Sequence, residues 1–219
     1  MNRTITVKGI GKLSLKPDQT VITLTLKNLN PVYDKAMDEA AGHLEQLRDA
    51  VTALGFSADE LKTANFDVRT EYESKRDKSG NYRQIFVGYR VTHELKLEFG
   101  FDTRLLSRVL GAVAVCIADP ELNIRFTVKD REAVGAALLE SACRNARNKA
   151  EILTKASGVE LGELVSVDYN WSELNIFSPT GYEMENMCML KAGSAPPAIN
   201  IQPDDISVSD SVTFVWEIK

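Results

Sequence analysis

The hydrophobic residues of this sequence switch repeatedly between a period of two and a period of about 3.6, and this switching constrains the fold more than any single motif. Period-two stretches, typical of half-buried strands, occur at 4–15, 20–29, 61–74, 84–99, 121–128, 163–171 and 206–218. Helical stripes occur at 31–54, 102–115 and 130–157. The sequence therefore predicts an α+β fold in which helices cover antiparallel or mixed sheets.

The order of these predicted elements occurs twice. Residues 20–99 predict a strand, a helix and two further strands, and residues 121–218 predict the same order again. An opening strand at 4–15 precedes the first unit, and the helix at 102–115 links the two. We therefore predict a single domain over residues 1–219, built from two β-α-β-β units of a pseudo-duplication.

The segment KGIGKLSLKPDQT, residues 8–20, looks at first like part of a phosphate-binding loop. Such a loop has a longer spacing between its glycines and leads directly into a helix. Here the strand pattern continues. Gly9 and Gly11 lie on the apolar parity of that strand, which predicts that another element packs closely against them.

Pro17-Asp18 fits the central positions of a type I turn between two strand patterns. A turn there would join strands 4–15 and 20–29 in a hairpin and place Gly9 and Gly11 opposite leucines of the second strand. The hydrophobic parities of the two strands agree with that register. We therefore predict an N-terminal hairpin.

Two predicted helices carry recognisable start signals. Asn30-Pro31 offers an N-cap followed by proline at the first helical position, and Asp130 offers an N-cap for the helix at 130–157. The stripe predicted to be buried on that second helix is rich in small residues, which allow close approach: Ala136, Leu139, Cys143, Ala146, Ala150 and Leu153.

The strand at 84–99 has its apolar residues at odd positions, and His93 shares that buried parity. A catalytic or metal-binding histidine would need partners, so a core or interface histidine with a satisfied hydrogen bond is the better interpretation. The strand at 61–74 predicts Phe66 and Tyr72 on its inner face. Acidic residues on the outer faces alternate with Arg69, Arg90 and Lys96, which predicts cross-strand charge pairs.

Residues 172–203 form a predicted loop that is far longer than usual connections. It contains Met184, Met187, Cys188 and Met189, whose thioether and thiol groups are ligands suited to Cu(I) and are readily oxidised. The alternative interpretation is an apolar contact with a neighbouring subunit or domain. These four residues are the candidates for a soft-metal site. The sequence offers no catalytic constellation and no cofactor motif.

Composition excludes some classes of function. The formal net charge of −5 argues against nucleic acid as a partner, because phosphate contacts need clustered lysine and arginine. The sequence has no run of ~20 apolar residues, so we predict no membrane span. It shows no signal peptide and no CxxC motif among its three cysteines. These features predict a cytoplasmic protein with reduced thiols, although an exported protein whose signal had been removed would look the same.

Four segments together resemble the SIMPL-domain family, a bacterial domain of unknown function. They are ITVKGIGKLSLKPD (5–18), LGFSADELKTANFDVRTEY (54–72), GYRVTHELKLEF (88–99) and ALLESACRNARNKAEILTKASGVELGEL (137–164). The segment QPDDISVSDSV (202–212) departs from the family, which usually shows Pro-Gly-Glu before its last strand. The resemblance implies kinship with exported proteins of oxidative-stress defence and with animal kinase-binding SIMPL proteins. It also implies assembly into oligomers, and it supplies no catalytic residues.

We therefore expect a non-enzymatic protein that forms a homo-oligomer or binds a protein partner, with a link to stress defence. The alternative hypothesis is a redox-protective or Cu(I)-binding protein that uses the segment containing Met184, Met187, Cys188 and Met189.

Overall fold

A computed structural model of the chain describes residues 3–76, 81–116, 118–170, 173–184 and 201–219. In that part of the chain the elements follow one another in this order: β1 (Thr4–Leu15), β2 (Gln19–Asn30), α1 (Tyr33–Thr52), a 3₁₀ turn (Ala58–Glu60), β3 (Leu61–Arg76), β4 (Tyr82–Gly100), α2 (Thr103–Ala114), β5 (Glu121–Thr127), α3 (Arg131–Ala156), β6 (Leu161–Asp168), β7 (Phe177–Met184) and β8 (Ile206–Ile218).

The strands form two antiparallel sheets, one of three strands in the order β1-β8-β6 and one of five in the order β3-β4-β2-β5-β7. The predicted α+β class is confirmed. The chain divides into two compact units. Unit 1 comprises Met1–Asp18, Thr127–Pro179 and Pro203–Lys219, and unit 2 comprises Gln19–Phe126 and Thr180–Gln202. The single-domain duplication stays a prediction.

The predicted N-terminal hairpin is wrong. β1 pairs with β8, so that Gly9 lies opposite Val212, whereas β2 pairs with β4. Pro17 and Asp18 lead the chain from one sheet to the other. The Asp18 carboxylate accepts a hydrogen bond of 2.8 Å from the Lys129 amide, and the Asp18 amide donates to the Thr127 carbonyl at 3.1 Å. Matching parities could not reveal the true partner strand, because β8 carries the same alternation near the other end of the chain.

The close packing predicted for the two glycines is confirmed, and the element that approaches them is α3. A Cβ atom added to Gly9 would lie 2.1 Å from the carbonyl oxygen of Ala142, and one added to Gly11 would lie 2.0 Å from that of Leu138. The helix can approach the strand only because neither glycine has a side chain.

The buried stripe of α3 differs from the predicted one. Its buried positions are Val134, Leu138, Ala142, Ala146, Ala150 and Thr154. The small residues Ala146 and Ala150 are correctly predicted, whereas Cys143 and Leu153 are exposed. Close approach at Gly9 and Gly11 selects the face that carries Ala142, and the larger side chains one position away are left outside. Asp130 is the N-cap as predicted, accepting a hydrogen bond of 2.8 Å from the Ala133 amide.

In unit 2, α1 and α2 bury their apolar faces in one core with β2 and β4. Its fully buried members include Ile22, Leu24, Leu47, Leu95, Leu97, Leu106, Val109 and Ile124. The predicted cap of α1 is wrong, because the N-cap position is Val32 and has no side-chain hydrogen bond. Asn30 instead accepts a 2.9 Å bond from the Val32 amide and donates to Glu39, which fixes the turn before the helix.

A register irregularity in the β3–β4 pair overturns part of the predicted parity. Glu71 lies opposite Gly88, but Tyr72 lies opposite Phe86, so β4 contains one extra residue there. Such a bulge reverses the faces of the residues beyond it. Phe86 therefore joins the face of Tyr72 and Tyr89, while Ile85, which shares the odd parity, turns to the opposite face.

The long loop predicted at 172–203 is also partly wrong. Residues 177–184 form β7, an edge strand of the five-stranded sheet. Its sequence, FSPTGYEM, contains proline and glycine, which are rare inside strands and conceal the strand pattern. Ile176 and Tyr182 beside and within β7 pack against the cores of unit 1 and unit 2, respectively.

Candidate functional site

The glycine-containing segment of β1 is held by side chains of α3. The Ile10 amide donates a hydrogen bond to the side-chain oxygen of Asn145 at 3.0 Å, and the Lys149 ammonium group donates to the Lys8 carbonyl at 3.0 Å. Lys8 and Lys12 are exposed, as predicted for the outer parity. The segment continues as strand and leads into no helix, which is the arrangement expected of a packing motif.

His93 lies in the core of unit 2 with a single hydroxyl partner. Its side chain is 6% exposed, and its Nε2 lies 2.8 Å from the Thr63 hydroxyl. The Phe66 ring meets the imidazole edge to face, with a centroid distance of 5.0 Å. Burial lowers the pKa of His93 below 6.5, and the positive charge of Arg48 lowers it further. The predicted core histidine with a satisfied hydrogen bond is confirmed.

The outer face of β3 and β4 carries ion pairs of two kinds. Glu71 and Arg90 form a cross-strand pair with two hydrogen bonds, one of them 2.7 Å between Arg90 Nη2 and Glu71 Oε1. Hydrogen bonding to Arg90 lowers the pKa of Glu71. Other pairs lie along one strand, for example Lys96–Glu98 at 2.5 Å. Cross-strand pairing is therefore confirmed for Glu71–Arg90 and wrong for Lys96, because the register places Lys62 of β3 opposite Lys96.

Of the four soft-ligand candidates, the structure describes Met184 alone. Met184 ends β7 and packs, half-buried, against the core of unit 2. Met187, Cys188 and Met189 lie outside the described residues. Among the described residues, no group of three histidine, cysteine or acidic side chains could hold a metal ion. The soft-metal hypothesis stays a prediction.

Two surfaces that sequence reasoning missed are more informative. The first is β6, an edge strand of the three-stranded sheet in unit 1. Leu164, Val165 and Val167 are each between 50% and 55% exposed. We call this surface the β6 edge. Leu164 and Val167 lie opposite Trp216 and Phe214, two buried residues of β8, so their apolar face continues a core face.

The second surface is the outer part of the β3–β4 pair in unit 2. β2 pairs with β4 only as far as Tyr89, whereas β3 continues to pair with β4 as far as Tyr82. Residues 71–76 and 82–88 therefore form a two-stranded ribbon, which we call the distal ribbon. Tyr72, Tyr82, Ile85 and Phe86 on this ribbon are between 42% and 72% exposed.

Both surfaces left a signal in the sequence. The apolar residues of β6 include the adjacent pair Leu164 and Val165, which strict alternation does not allow in a strand with one buried face. The predicted strand at 84–99 is longer than the strand at 20–29, and the part of β4 that extends beyond β2 belongs to the distal ribbon. The alternation alone did not show which strand would be left at an edge.

In the described ranges, every helix is too short or too polar to cross a lipid bilayer.

Comparison with known proteins places the chain in a family. The family model SIMPL, described as "Protein of unknown function (DUF541)", matches residues 5–216. The 26 kDa periplasmic immunogenic protein of Brucella abortus (strain S19) is 23% identical over 216 residues, which cover 98% of this chain and 84% of that protein. Protein YggE of Edwardsiella ictaluri (strain 93-146), described as uncharacterized, is 21% identical over 215 residues, covering 98% and 87%.

A solved structure, the crystal structure of an uncharacterized conserved protein from Listeria innocua, aligns with 96% of this chain and 92% of its own at 8% identity. Its TM-score is 0.25.

These relatives correct one expectation. The expected cytoplasmic location is wrong, because the matched Brucella proteins are named as periplasmic. The prediction relied on the lack of a signal-peptide pattern, which describes only the first residues of this sequence. The resemblance in the four segments described above is confirmed, because the family match extends over nearly the whole chain. The chain belongs to the SIMPL family, whose function is unknown.

Proposed function

We propose that this protein is a non-enzymatic interaction module of the periplasm that self-associates through the β6 edge. The observation that carries the proposal is the half exposure of Leu164, Val165 and Val167 on a strand at the edge of its sheet. An edge strand presents unpaired backbone amides and carbonyls, which another strand can pair with. The names of the Brucella relatives support the periplasmic location.

The packing of α3 supports the assignment of the β6 edge as the contact surface. α3 packs on β1 and β8, where Ala142 and Ala146 lie in one buried cluster with Val7 and Phe214. The apolar face of β6 lies beside that cluster but stays half exposed at Leu164 and Val167. A second copy of β6 would extend the sheet and place its own exposed apolar side chains beside those of the first copy. The apolar side chains of both copies would then be removed from water.

The charges of β6 favour one register for such a pair. Two antiparallel copies paired with Glu163 opposite Asp168 would set carboxylates against each other, which is destabilising. A two-fold pair centred on Ser166 avoids this contact, because it places Val165 opposite Val167 of the other copy. Closed two-fold pairing also uses the same surface of both copies, as in most homodimers.

The absence of an enzymatic role is part of the proposal. Three groups with a shifted pKa in the described ranges have structural partners: Glu71 bonds to Arg90, Tyr169 donates a 2.9 Å bond to Asp210, and His93 contacts Thr63. Hydrogen bonding to Asp210 raises the pKa of Tyr169. Within unit 2, Glu71 lies five residues along β3 from Phe66, the residue opposite His93, so these two groups do not form an acid-base pair. A role in stress defence stays a prediction.

Light scattering of the purified chain at micromolar concentrations tests the proposal. We expect an oligomer, and we expect Val167→Lys to dissociate it because a buried, unpaired ammonium group opposes the contact. The matched control is Ile152→Lys, which changes an exposed residue of α3 and should leave the mass unchanged. A wild-type chain that stays monomeric, or a Val167→Lys variant with unchanged mass, would refute self-association through this edge.

Cysteine cross-linking tests the register. In a pair centred on Ser166, the two Ser166 Cβ atoms lie about 4.5–5.5 Å apart, close to disulfide geometry. We expect Ser166→Cys to form a disulfide-linked dimer in the presence of oxidised glutathione. Ser209→Cys on the exposed face of β8 is the control. Equal cross-linking of the two variants would contradict the register.

A further inference from the structure

The distal ribbon extends beyond the body of its sheet. Six residues of β3 continue past the end of β2 pairing, which corresponds to about 20 Å of two-stranded structure. An isolated two-stranded ribbon is only marginally stable in water. This one is tied to the rest of unit 2 by a row of aromatic rings.

The aromatic row runs from the start of α1 to the middle of the ribbon. The ring of Tyr33 meets that of Tyr89, Tyr89 meets Phe86, and Phe86 meets Tyr72, with centroid distances of 5.4, 5.4 and 5.7 Å. All three contacts are edge-to-face, the geometry that aromatic rings favour. The row fixes the ribbon to the helix and the sheet, so its exposed side chains keep a defined arrangement.

The ribbon exposes apolar groups on both of its faces. Tyr72, Tyr82 and Phe86 share one face, since the register pairs Tyr72 with Phe86 and Arg76 with Tyr82. Ile85 lies on the opposite face, and it too is exposed. Exposed apolar groups on both faces fit an environment that surrounds the ribbon, such as the interfacial layer of a bilayer.

The charge of this part of the chain differs in sign from the rest. Residues 71–88 contain four basic and three acidic side chains, a net charge of +1, in a chain whose net charge is −5. Lys75, Arg76 and Arg83 on the ribbon can extend their cationic ends toward phosphate groups while their aliphatic stems lie along apolar neighbours. Tyrosine is enriched at the same depth of membranes, where its ring is apolar and its hydroxyl is hydrated.

We propose that the distal ribbon binds the surface of an anionic lipid bilayer, with Tyr82, Ile85 and Phe86 in the interfacial layer and Lys75, Arg76 and Arg83 at the lipid phosphates. The ribbon stays at the depth of the headgroups, because both of its edges carry backbone groups that the hydrocarbon could not satisfy. The protein is thereby attached to a membrane surface without spanning it. This inference concerns unit 2 and is independent of the β6 edge in unit 1.

Vesicle co-sedimentation of the full chain tests the proposal. We expect binding to vesicles of equimolar phosphatidylglycerol and phosphatidylcholine, much weaker binding to pure phosphatidylcholine, and a decrease with added salt. Arg76→Gln with Arg83→Gln should weaken binding to the anionic vesicles, by roughly fivefold per charge. Lys12→Gln with Lys16→Gln removes two exposed cations of unit 1 and is the matched control.

The apolar contribution is tested on both faces. Tyr82→Ser and Ile85→Ser should each weaken binding to anionic vesicles, while circular dichroism shows an unchanged fold. Leu164→Ser on the β6 edge should bind vesicles as the wild type does. If either of these variants fails to fold, vesicle binding by the Arg76→Gln/Arg83→Gln variant still tests the proposal.

Three results would overturn the proposal. The first is no binding of the wild type to anionic vesicles, and the second is equal binding by the Arg76/Arg83 and Lys12/Lys16 variants. The third is a fall in oligomer mass without vesicles for Tyr82→Ser or Ile85→Ser, which would assign the ribbon to a protein contact instead.

Discussion

Gly11 and the carbonyl oxygen of Leu138 meet so closely that a single added methyl group would lie 2.0 Å from that oxygen. Together with Gly9 and Ala142, this contact sets the distance between α3 and the β1-β8 sheet. The segment that looks like a nucleotide loop is therefore the packing surface of a helix.

The first prediction concerns this contact. We expect Gly11→Ala to lower the free energy of unfolding by about 2–3 kcal/mol, because the helix backbone must move away from the strand. Thermal unfolding should shift down by roughly 5–10 °C. Gly135→Ala on α3 is the control: an added Cβ there meets no atom within 4 Å, so helix propensity should stabilise the protein by up to ~1 kcal/mol. Equal melting temperatures for Gly11→Ala and the wild type would contradict the packing role.

The second prediction concerns pH. The folded chain holds His93 with a pKa below 6.5, so the unfolded chain binds the proton more readily between these two values. The free energy of unfolding should therefore be highest above about pH 6.5 and fall as the pH drops through the window down to the lowered pKa. His93→Gln should lose that part of the slope in urea titrations at several pH values. An unchanged slope in the variant would show that other groups cause it.

The third prediction concerns the start of α3. Asp130→Ala should cost about 1 kcal/mol, since the Ala133 amide loses its acceptor. Asp130→Ser keeps an N-cap oxygen and should retain most of the stability in the same denaturant titration. Equal losses in the two variants would mean that the negative charge, and not the cap, is what matters.

The fourth prediction concerns the connection between β1 and β2. Asp18→Ala removes the acceptor of the Lys129 amide and should destabilise the chain by roughly 1 kcal/mol in a denaturant titration. Asp18→Asn leaves an oxygen in the same position and should be close to the wild type. If the asparagine variant lost as much stability as the alanine variant, the carboxylate charge would be the important feature.

The fifth prediction separates the soft-metal alternative from the interaction module. Met184 packs against the core of unit 2, so we expect Met184→Leu to leave Cu(I) binding unchanged in a titration under reducing conditions. A tight stoichiometric Cu(I) complex that is lost in Met184→Leu and in Cys188→Ser would support the alternative and argue against our assignment of Met184.

Local patterns in the sequence are enough to predict the type of nearly every element. Alternation at β2 and β8, the helical stripes of α1 and α2, and the cap at Asp130 depend on local geometry, which the chain expresses within a few residues. The two glycines of β1 also revealed close packing, because glycine on an apolar parity has few other uses. β7 escaped detection because proline and glycine interrupt its pattern.

Which elements meet is a property of the folded chain. Both β2 and β8 have the alternation that pairing with β1 requires, and β1 pairs with β8 although it is distant in sequence. The pairing depends on how much apolar surface the whole sheet buries, and nearness in sequence does not decide it. The same choice left β6 at an edge, and the bulge opposite Glu71 turned Phe86 toward Tyr72. The two candidate surfaces arise from those pairings, since exposure depends on which neighbours cover a residue, and a single strand's pattern does not contain that information.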